Sequence, residues 1–192
     1  MQKLKDKLIN EGLCIGDKVI KVNGFLNHQI DVKLMDEIGE EIAKYYKDYE
    51  ITKILTGEAS GIAIALATSR ALNYVPVLIG KKNKPITMTG KTYEAQSTSF
   101  TNGDTSNFVV SAEFITSDDK VLVVDDFLAR GKSGHALCDI VKQSGAELIG
   151  YSAVFEKRSQ GGYDIVKQYT ENVHSLVVID KMENGKITFI ED

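Results

Sequence analysis

The sequence predicts an α/β fold in which a central, mostly parallel sheet is flanked by helices. Apolar runs of strand length alternate with helical segments over most of residues 51–179, which is typical of parallel strands joined by right-handed crossovers. Residues 81–116 interrupt this alternation with a stretch rich in Thr, Ser, Lys, Asn and Gly, so they are expected to form an inserted arm. With 192 residues, the chain is expected to be a single domain.

Composition narrows the class of protein. A hydrophobic fraction of 43% and a charged fraction of 26% are ordinary for a soluble globular chain. The net charge of −4 provides no broad basic field, so we expect no nucleic-acid partner. Cys14 and Cys138 have no metal-binding or disulfide spacing. The N-terminus lacks the apolar core of a signal peptide and no apolar run is long enough to span a membrane. We therefore expect a cytoplasmic protein without a membrane partner.

Residues 1–48 precede the alternating core. A first helix is predicted from apolar residues near the N-terminus and ends at Gly12. A short strand over residues 18–22 leads into the turn signal Asn23-Gly24. Asp31 is placed to cap a second helix that runs to about residue 46.

The core elements follow in order. Predicted strands cover residues 51–56, 75–79, 120–125, 147–155 and 175–179, and predicted helices cover residues 61–72, about 135–144 and 163–169. Within the arm, residues 86–89 and 108–111 favour strands on either side of a polar middle that contains Asn102-Gly103. Asn184-Gly185 predicts a last hairpin whose second strand covers residues 186–190.

The most informative segment is residues 120–137. Residues 121–124 are apolar, as in a strand buried on both faces, and two carboxylates, Asp125 and Asp126, follow at once. A loop with Gly131 and Gly134 then leads into helical sequence. Loop amides and a helix N-terminus attract phosphate, while carboxylates accept hydrogen bonds from hydroxyls or hold hydrated Mg²⁺. The segment therefore predicts a site for a sugar phosphate.

Two nucleotide-binding patterns are excluded. Gly131, Lys132 and Ser133 imitate the end of a P-loop, but that pattern needs a glycine where Asp126 stands. The first core strand is followed by glycines at positions 57 and 61, which is not the spacing of a dinucleotide-binding loop.

With these patterns excluded, residues 121–133 resemble the motif that binds 5-phosphoribosyl 1-diphosphate (PRPP) in type I phosphoribosyltransferases. Residues 22–31, 58–63 and 156–157 extend the resemblance to the purine enzymes of that family, over nearly the whole chain. The resemblance implies a type I phosphoribosyltransferase fold, with residues 1–48 as a small N-terminal hood over the base and residues 84–114 as an arm or lid. It also implies purine salvage by a homodimer that makes xanthosine 5′-monophosphate (XMP) and pyrophosphate from xanthine and PRPP.

The resemblance also assigns the PRPP site. It implies that Asp125 and Asp126 hold the ribose hydroxyls and favour the cationic sugar, and that Mg²⁺ is bound through PRPP and water without a direct protein ligand. The 5′-phosphate is expected to bind Ala129, Arg130, Gly131, Lys132 and Ser133, and the pyrophosphate to bind Glu58, Ala59, Ser60, Gly61 and Lys81. Arg130 and Lys132 stand where relatives are expected to carry a neutral residue, and Ala59 where they usually carry serine.

The same resemblance assigns four residues to the base. It implies that Lys157 donates to a purine oxygen, that Asn27 reads the second oxygen of xanthine, and that Ile20 and Phe127 pack on the ring. From the residues alone, other interpretations stay open: Ile20 and Phe127 as core side chains, Lys157 and Lys81 as surface lysines, and residues 58–61 as a tight turn.

Two other functions compete with this one. The first is a phosphoribosyltransferase for guanine or hypoxanthine; adenine has no oxygen for Lys157 to contact. The second is a PRPP-sensing transcriptional regulator, which requires a DNA-binding module and a basic surface. Residues 1–50 have no helix-turn-helix pattern and the net charge is negative, so this hypothesis ranks below the enzyme.

Overall fold

The computed structural model describes residues 1–98, 105–183 and 185–190. In chain order the strands are β1 (Leu13–Ile15), β2 (Val19–Lys21), β3 (Lys53–Gly57), β4 (Val77–Gly80), β5 (Thr92–Thr98), β6 (Thr105–Ser111), β7 (Lys120–Leu128), β8 (Glu147–Lys157), β9 (Val173–Glu183) and β10 (Lys186–Phe189). The helices are α1 (Gln2–Glu11), α2 (Val32–Tyr45), α3 (Gly61–Ala71), α4 (Lys132–Ser144) and α5 (Gly162–Val166).

A six-stranded sheet with the order β10-β9-β8-β7-β3-β4 forms the centre of the fold. All neighbouring pairs are parallel except β10 and β9. The chain passes from β3 outward to β4 and then returns to place β7 on the other side of β3. The strand order therefore reverses between β3 and β7, and in open α/β sheets ligands bind beyond the carboxyl ends of the strands at such a point.

Helices cover both faces of the sheet, which explains why its central strands are apolar throughout. Residues 121–124 of β7 are fully buried, as their unbroken apolar run predicts. Helices α1, α2 and α3 contribute to one apolar cluster, and α4 contributes to the other together with the arm. The Asp31 carboxylate accepts a hydrogen bond of 3.1 Å from the Leu34 amide, which confirms the predicted cap of α2.

The N-terminal segment differs from its prediction in two places. Strand β1, which was not predicted, pairs with β2 in a hairpin that turns at Gly16, whose φ is +57°. Asn23-Gly24 is not an isolated turn, because these residues begin a π-helical turn over Asn23–Asn27. The amino group of Met1 donates to the Leu176 carbonyl at 3.0 Å and ties this segment to the sheet.

The inserted arm is an antiparallel pair, β5 and β6, that packs against α4. The predicted strand over residues 108–111 is confirmed, but the one over residues 86–89 is wrong. Pro85 begins a turn there, in which the Met88 amide donates to the Pro85 carbonyl, and Ile86 is exposed to solvent. The polar middle of the arm at Asn102-Gly103, and Asn184 of the predicted turn Asn184-Gly185, lie outside the described residues.

Strand β7 and helix α4 meet across a shorter loop than expected. The strand continues to Leu128, and the helix begins at Lys132 instead of near residue 135. Lys132 and Ser133 therefore belong to the first helical turn, where backbone amides have no partner within the helix. Cys138 is buried, Cys14 is half-buried and both are free thiols. Within the described ranges, no helix is long and apolar enough to cross a membrane.

Candidate active site

Two loops meet where the strand order reverses. Residues 58–60 follow β3, residues 129–131 follow β7, and each loop leads directly into a helix, α3 or α4. Between them lies a cavity of about 580 Å³. Its lining residues are Gly57, Glu58, Ala59, Ser60, Gly61, Lys82, Asn83, Gln96, Asn107, Phe108, Asp125, Asp126 and Ser133. Asp125 and Asp126 therefore line the same cavity as the loop after β3.

The acidic pair is held in a defined geometry. Asp125 is buried, and its carboxylate accepts hydrogen bonds from the Asp126 amide at 2.9 Å and from the Tyr151 hydroxyl at 3.3 Å. Asp126 accepts from the Phe127 amide at 2.9 Å. Burial, followed by the charge of Asp126, raises the pKa of Asp125 well above its usual value. A ligand that brings hydrogen-bond donors or positive charge to this pair relieves that cost.

The loop after β3 is fixed by Glu58. Its carboxylate accepts from the Lys82 amide at 2.7 Å and lies 3.3 Å from the Lys81 ammonium. The backbone hydrogen bond from Lys82, more than the ion pair, lowers the pKa of Glu58. The Glu58–Ala59 peptide is cis. Gly61 begins α3, an 11-residue helix, so its first-turn amides open toward the cavity and favour an anion.

The loop after β7 lines a second space of about 270 Å³. The residues around it are Phe127, Ala129, Arg130, Gly131, Lys132, Ser133, Gly134 and Gln160. Gly131 caps α4 in the left-handed region at φ +71°, and a Cβ there would lie 2.9 Å from Gly162 Cα. Only glycine fits this approach. Ser133 lines both this space and the larger cavity, so the two adjoin.

A third cavity, of about 700 Å³, lies beyond the carboxyl end of β8. Asp17, Lys18, Val19, Arg130, Lys157, Ser159 and Gln160 line it. The buried Lys157 ammonium donates to the Lys18 carbonyl at 2.9 Å and lies 5.2 Å from the centre of the Phe127 ring. Burial lowers the pKa of Lys157. Arg130 lines both this cavity and the space at the β7 loop, so it connects them.

Three predicted site residues lie outside these spaces. Ile20 is buried in the apolar cluster, and Asn27 is exposed on the π-helical turn. Lys81 lies beside the site, with its ammonium 3.3 Å from the Glu58 carboxylate. None of the three is among the described residues that line the three cavities. The remaining predicted residues all line at least one of them.

The structure adds residues that sequence reasoning missed. Tyr151 contacts Asp125 from β8, while Asn83, Gln96, Asn107 and Phe108 line the 580 Å³ cavity. Gln96 and Asn107 face each other across the arm. Two polar residues at paired positions of a hairpin indicate a possible binding surface. Only the packing of the arm against the core shows that this pair lines the cavity.

The oxygen-rich lining also bears on metal binding. Among the described residues, no three His, Cys, Asp or Glu side chains are grouped to hold a metal ion. The Asp125 and Asp126 carboxylates share the cavity with Asn107, whose buried side-chain oxygen has no hydrogen-bond partner. Such acceptors suit the water shell of Mg²⁺, which retains several waters in proteins. The residues present therefore fit a hydrated cation that arrives with its ligand.

The fold and these cavities define an α/β protein whose site, at the reversal point of its sheet, is suited to a phosphorylated ligand. The family model described as phosphoribosyl transferase domain matches residues 25–179, and the chain belongs to this family.

Among its relatives, xanthine phosphoribosyltransferase 2 of Clostridium botulinum strain Hall is 44% identical over 98% of this chain and 100% of its own length. Xanthine phosphoribosyltransferase of Staphylococcus aureus strain MRSA252 is 44% identical over 99% and 98%. The fold resembles that of adenine phosphoribosyltransferase from Saccharomyces cerevisiae, with a TM-score of 0.73 and 20% identity over 92% of this chain and 99% of the other.

Proposed function

We propose that this chain is a purine-salvage enzyme that transfers the 5-phosphoribosyl group of PRPP to xanthine, giving XMP and pyrophosphate. The observation that carries the proposal is the acidic pair, with Asp125 buried and Asp126 half-buried, between two loops suited to anions at the reversal point of the sheet. The choice of xanthine is supported by relatives that bear that activity in their names and match nearly the full chain.

In this proposal, each part of PRPP has its own place. Residues 129–133 hold the 5′-phosphate with amides at the start of α4, and Ser133 adds a hydroxyl. Residues 58–61 hold the pyrophosphate with amides at the start of α3, with Lys81 and Lys82 close by. Asp125 and Asp126 accept hydrogen bonds from the ribose hydroxyls. The shared lining by Ser133 supports one continuous binding site.

The reaction breaks the bond from ribose C1 to pyrophosphate and forms a bond from C1 to a purine nitrogen. Positive charge develops on the sugar, and the two carboxylates stabilise that charge. The protein holds the base and PRPP close together in the orientation for reaction, which removes much of the entropic barrier. Asp125, Asp126 and Asn107 would face the water shell of a Mg²⁺ ion that arrives with PRPP, and that ion would supply positive charge against the leaving pyrophosphate. No general base is required if xanthine reacts as its anion.

The purine occupies the cavity beyond β8. Lys157 donates to a ring oxygen, and Phe127, whose ring centre lies 5.2 Å from the Lys157 ammonium and which lines the adjoining space at the loop after β7, forms an apolar wall. Arg130 places positive charge between base and phosphate, which favours anionic xanthine. Ile20 and Asn27 join the base site through the N-terminal hood. Contact between Lys157 and the Lys18 carbonyl supports this link between hood and base cavity.

The proposal also covers the domain organisation, the cellular compartment and the oligomeric state. Residues 1–192 act as one domain, with residues 1–48 as the hood over the base and residues 84–114 as the arm or lid. The free thiols Cys14 and Cys138 fit a reducing cytoplasm. The working form is a homodimer, which light scattering of the purified protein tests directly.

The experiment that tests the proposed reaction is product identification. Purified protein is incubated with xanthine, PRPP and Mg²⁺, and XMP and pyrophosphate are quantified by mass spectrometry and a coupled phosphate assay. Equal amounts of the two products are expected, and omission of PRPP abolishes both. Absence of XMP from a folded sample that binds PRPP would reject xanthine as the substrate.

A further inference from the structure

Asn107 carries a polar atom that the described structure leaves unsatisfied. Its side-chain oxygen Oδ1 is buried and has no hydrogen-bond partner among the described residues. Asn107 lies on β6, opposite Gln96 of β5, and its side chain lines the 580 Å³ cavity with Asp125 and Asp126. A buried carbonyl without a donor destabilises a protein, so such atoms are rare and need an explanation.

The cavity around Asn107 contains donors that do not satisfy this oxygen. Lys82 and Gln96 line the same cavity, yet no described group donates to Oδ1 of Asn107. The carboxylates of Asp125 and Asp126 are acceptors when ionised. A ligand that fills the cavity can supply the missing donor. Phosphate oxygens are also acceptors, so the matching group is an O–H: a ribose hydroxyl or a water molecule bound to Mg²⁺.

We propose that Asn107 is a further substrate-binding residue, whose carboxamide oxygen accepts a hydrogen bond from an O–H group of Mg²⁺-bound PRPP. The inference rests on the proposed function, because it uses the same cavity and the same ligand. It assigns the arm a direct role in holding PRPP through a strand residue. The arm therefore contributes a wall of the site.

The test compares Asn107→Leu, which removes hydrogen bonding at nearly constant volume, with Asn107→Asp, which keeps an acceptor. Asn10→Leu is the control, because Asn10 is exposed on α1. Calorimetry measures the Kd for PRPP in the presence of Mg²⁺. Asn107→Leu is expected to weaken binding about 10-fold, Asn107→Asp less than that, and Asn10→Leu not at all. The melting temperature of Asn107→Leu should equal or exceed that of the unaltered protein.

A second titration, with pyrophosphate and Mg²⁺, separates the two possible donors. A loss in Asn107→Leu for both ligands assigns the donor to metal-bound water, and a loss for PRPP alone assigns it to a ribose hydroxyl. Unchanged PRPP binding by Asn107→Leu overturns the inference. If the unaltered protein fails to bind PRPP, the proposed function itself fails, so the two failures are distinguishable.

Discussion

The hydroxyl of Tyr151 donates a hydrogen bond of 3.3 Å to Oδ2 of Asp125 from inside the core. Tyr151 is fully buried on β8, the strand beside β7, so its ring is fixed by packing. Its hydrogen bond stabilises the charged carboxylate and opposes the effect of burial on the pKa of Asp125. Tyr151 thereby positions the acidic pair without contacting the main cavity itself.

Tyr151→Phe should shift the pH dependence of catalysis. Loss of the donor raises the pKa of Asp125 further, because the charged form loses a stabilising contact. The acidic limb of kcat/KM for PRPP should therefore move to higher pH, with about a 10-fold loss of kcat/KM at neutral pH. Tyr49→Phe, at an exposed tyrosine, is the control. If the acidic limb does not move, Tyr151 does not act on the acidic pair.

Asp125→Asn should lower the activity of the protein and raise its stability. The folded-state pKa of Asp125 is raised above its unfolded value, so the folded chain binds more protons between these two values and its stability falls as pH rises through that window. Replacing the carboxyl with an amide removes this loss. Each 1 kcal/mol gained corresponds to roughly 2–4 °C in Tm at this chain length.

The expected result is a higher Tm for Asp125→Asn than for the unaltered protein at pH 8, with a smaller difference at pH 4. Turnover should fall about 100-fold or more, because a charge that stabilises the cationic sugar is lost. Calorimetric melting at the two pH values checks the stability, and steady-state kinetics checks the rate. If the variant gains more stability at pH 4 than at pH 8, the pKa of Asp125 is not raised in the folded protein.

Lys157→Met should impair recognition of the base and spare PRPP. The substitution keeps much of the apolar stem but removes the ammonium donor, so kcat/KM for xanthine should fall about 10–100-fold. The Kd for PRPP should stay within about twofold of its original value. Because the pKa of Lys157 is lowered, its ammonium loses its proton at a lower pH than an exposed lysine does. Binding of xanthine should therefore weaken at that lower pH. Lys181→Met is the exposed control; equal losses in both variants would contradict the assignment.

Gly131→Ala should damage the phosphate loop more than backbone strain alone explains. Gly131 and Gly145 cap the two ends of α4 at φ +71° and +79°. An added Cβ lies 2.9 Å from Gly162 Cα at position 131, but has only ordinary contacts at position 145. Gly145→Ala should cost about 1–2 kcal/mol of folding free energy and leave the Kd for PRPP unchanged. Gly131→Ala should cost more and weaken PRPP binding, as denaturant unfolding and calorimetry will show. Equal PRPP affinity in the two variants would refute the role of the loop.

The fold was largely predictable because its core strands are buried on both faces and therefore apolar without interruption. Residues 121–124 and the cap at Asp31 illustrate this local information. The strand predicted over residues 86–89 failed because β-prone side chains do not outweigh a turn that begins at Pro85. The short strand β1 was missed because three half-exposed residues give too weak a pattern.

The site was predictable where its residues follow one another in the chain and not where it is assembled by packing. The run from Asp125 to Ser133 carries its chemistry in sequence order. Tyr151 and Asn107 reach the same region from β8 and the arm, and no local pattern records that convergence. Asn27 is exposed outside the three cavities, so its role in reading xanthine stays a prediction.

Preference for xanthine among the purine bases is the property on which the proposed function depends. It is measured by kcat/KM for xanthine, hypoxanthine, guanine and adenine at one concentration of PRPP and Mg²⁺. We expect xanthine to have the highest value and the other oxopurines to be at least about 10-fold lower. Adenine should not be used, because it offers no oxygen to Lys157. A folded, PRPP-binding sample that turns over another base more efficiently than xanthine would refute the proposed function.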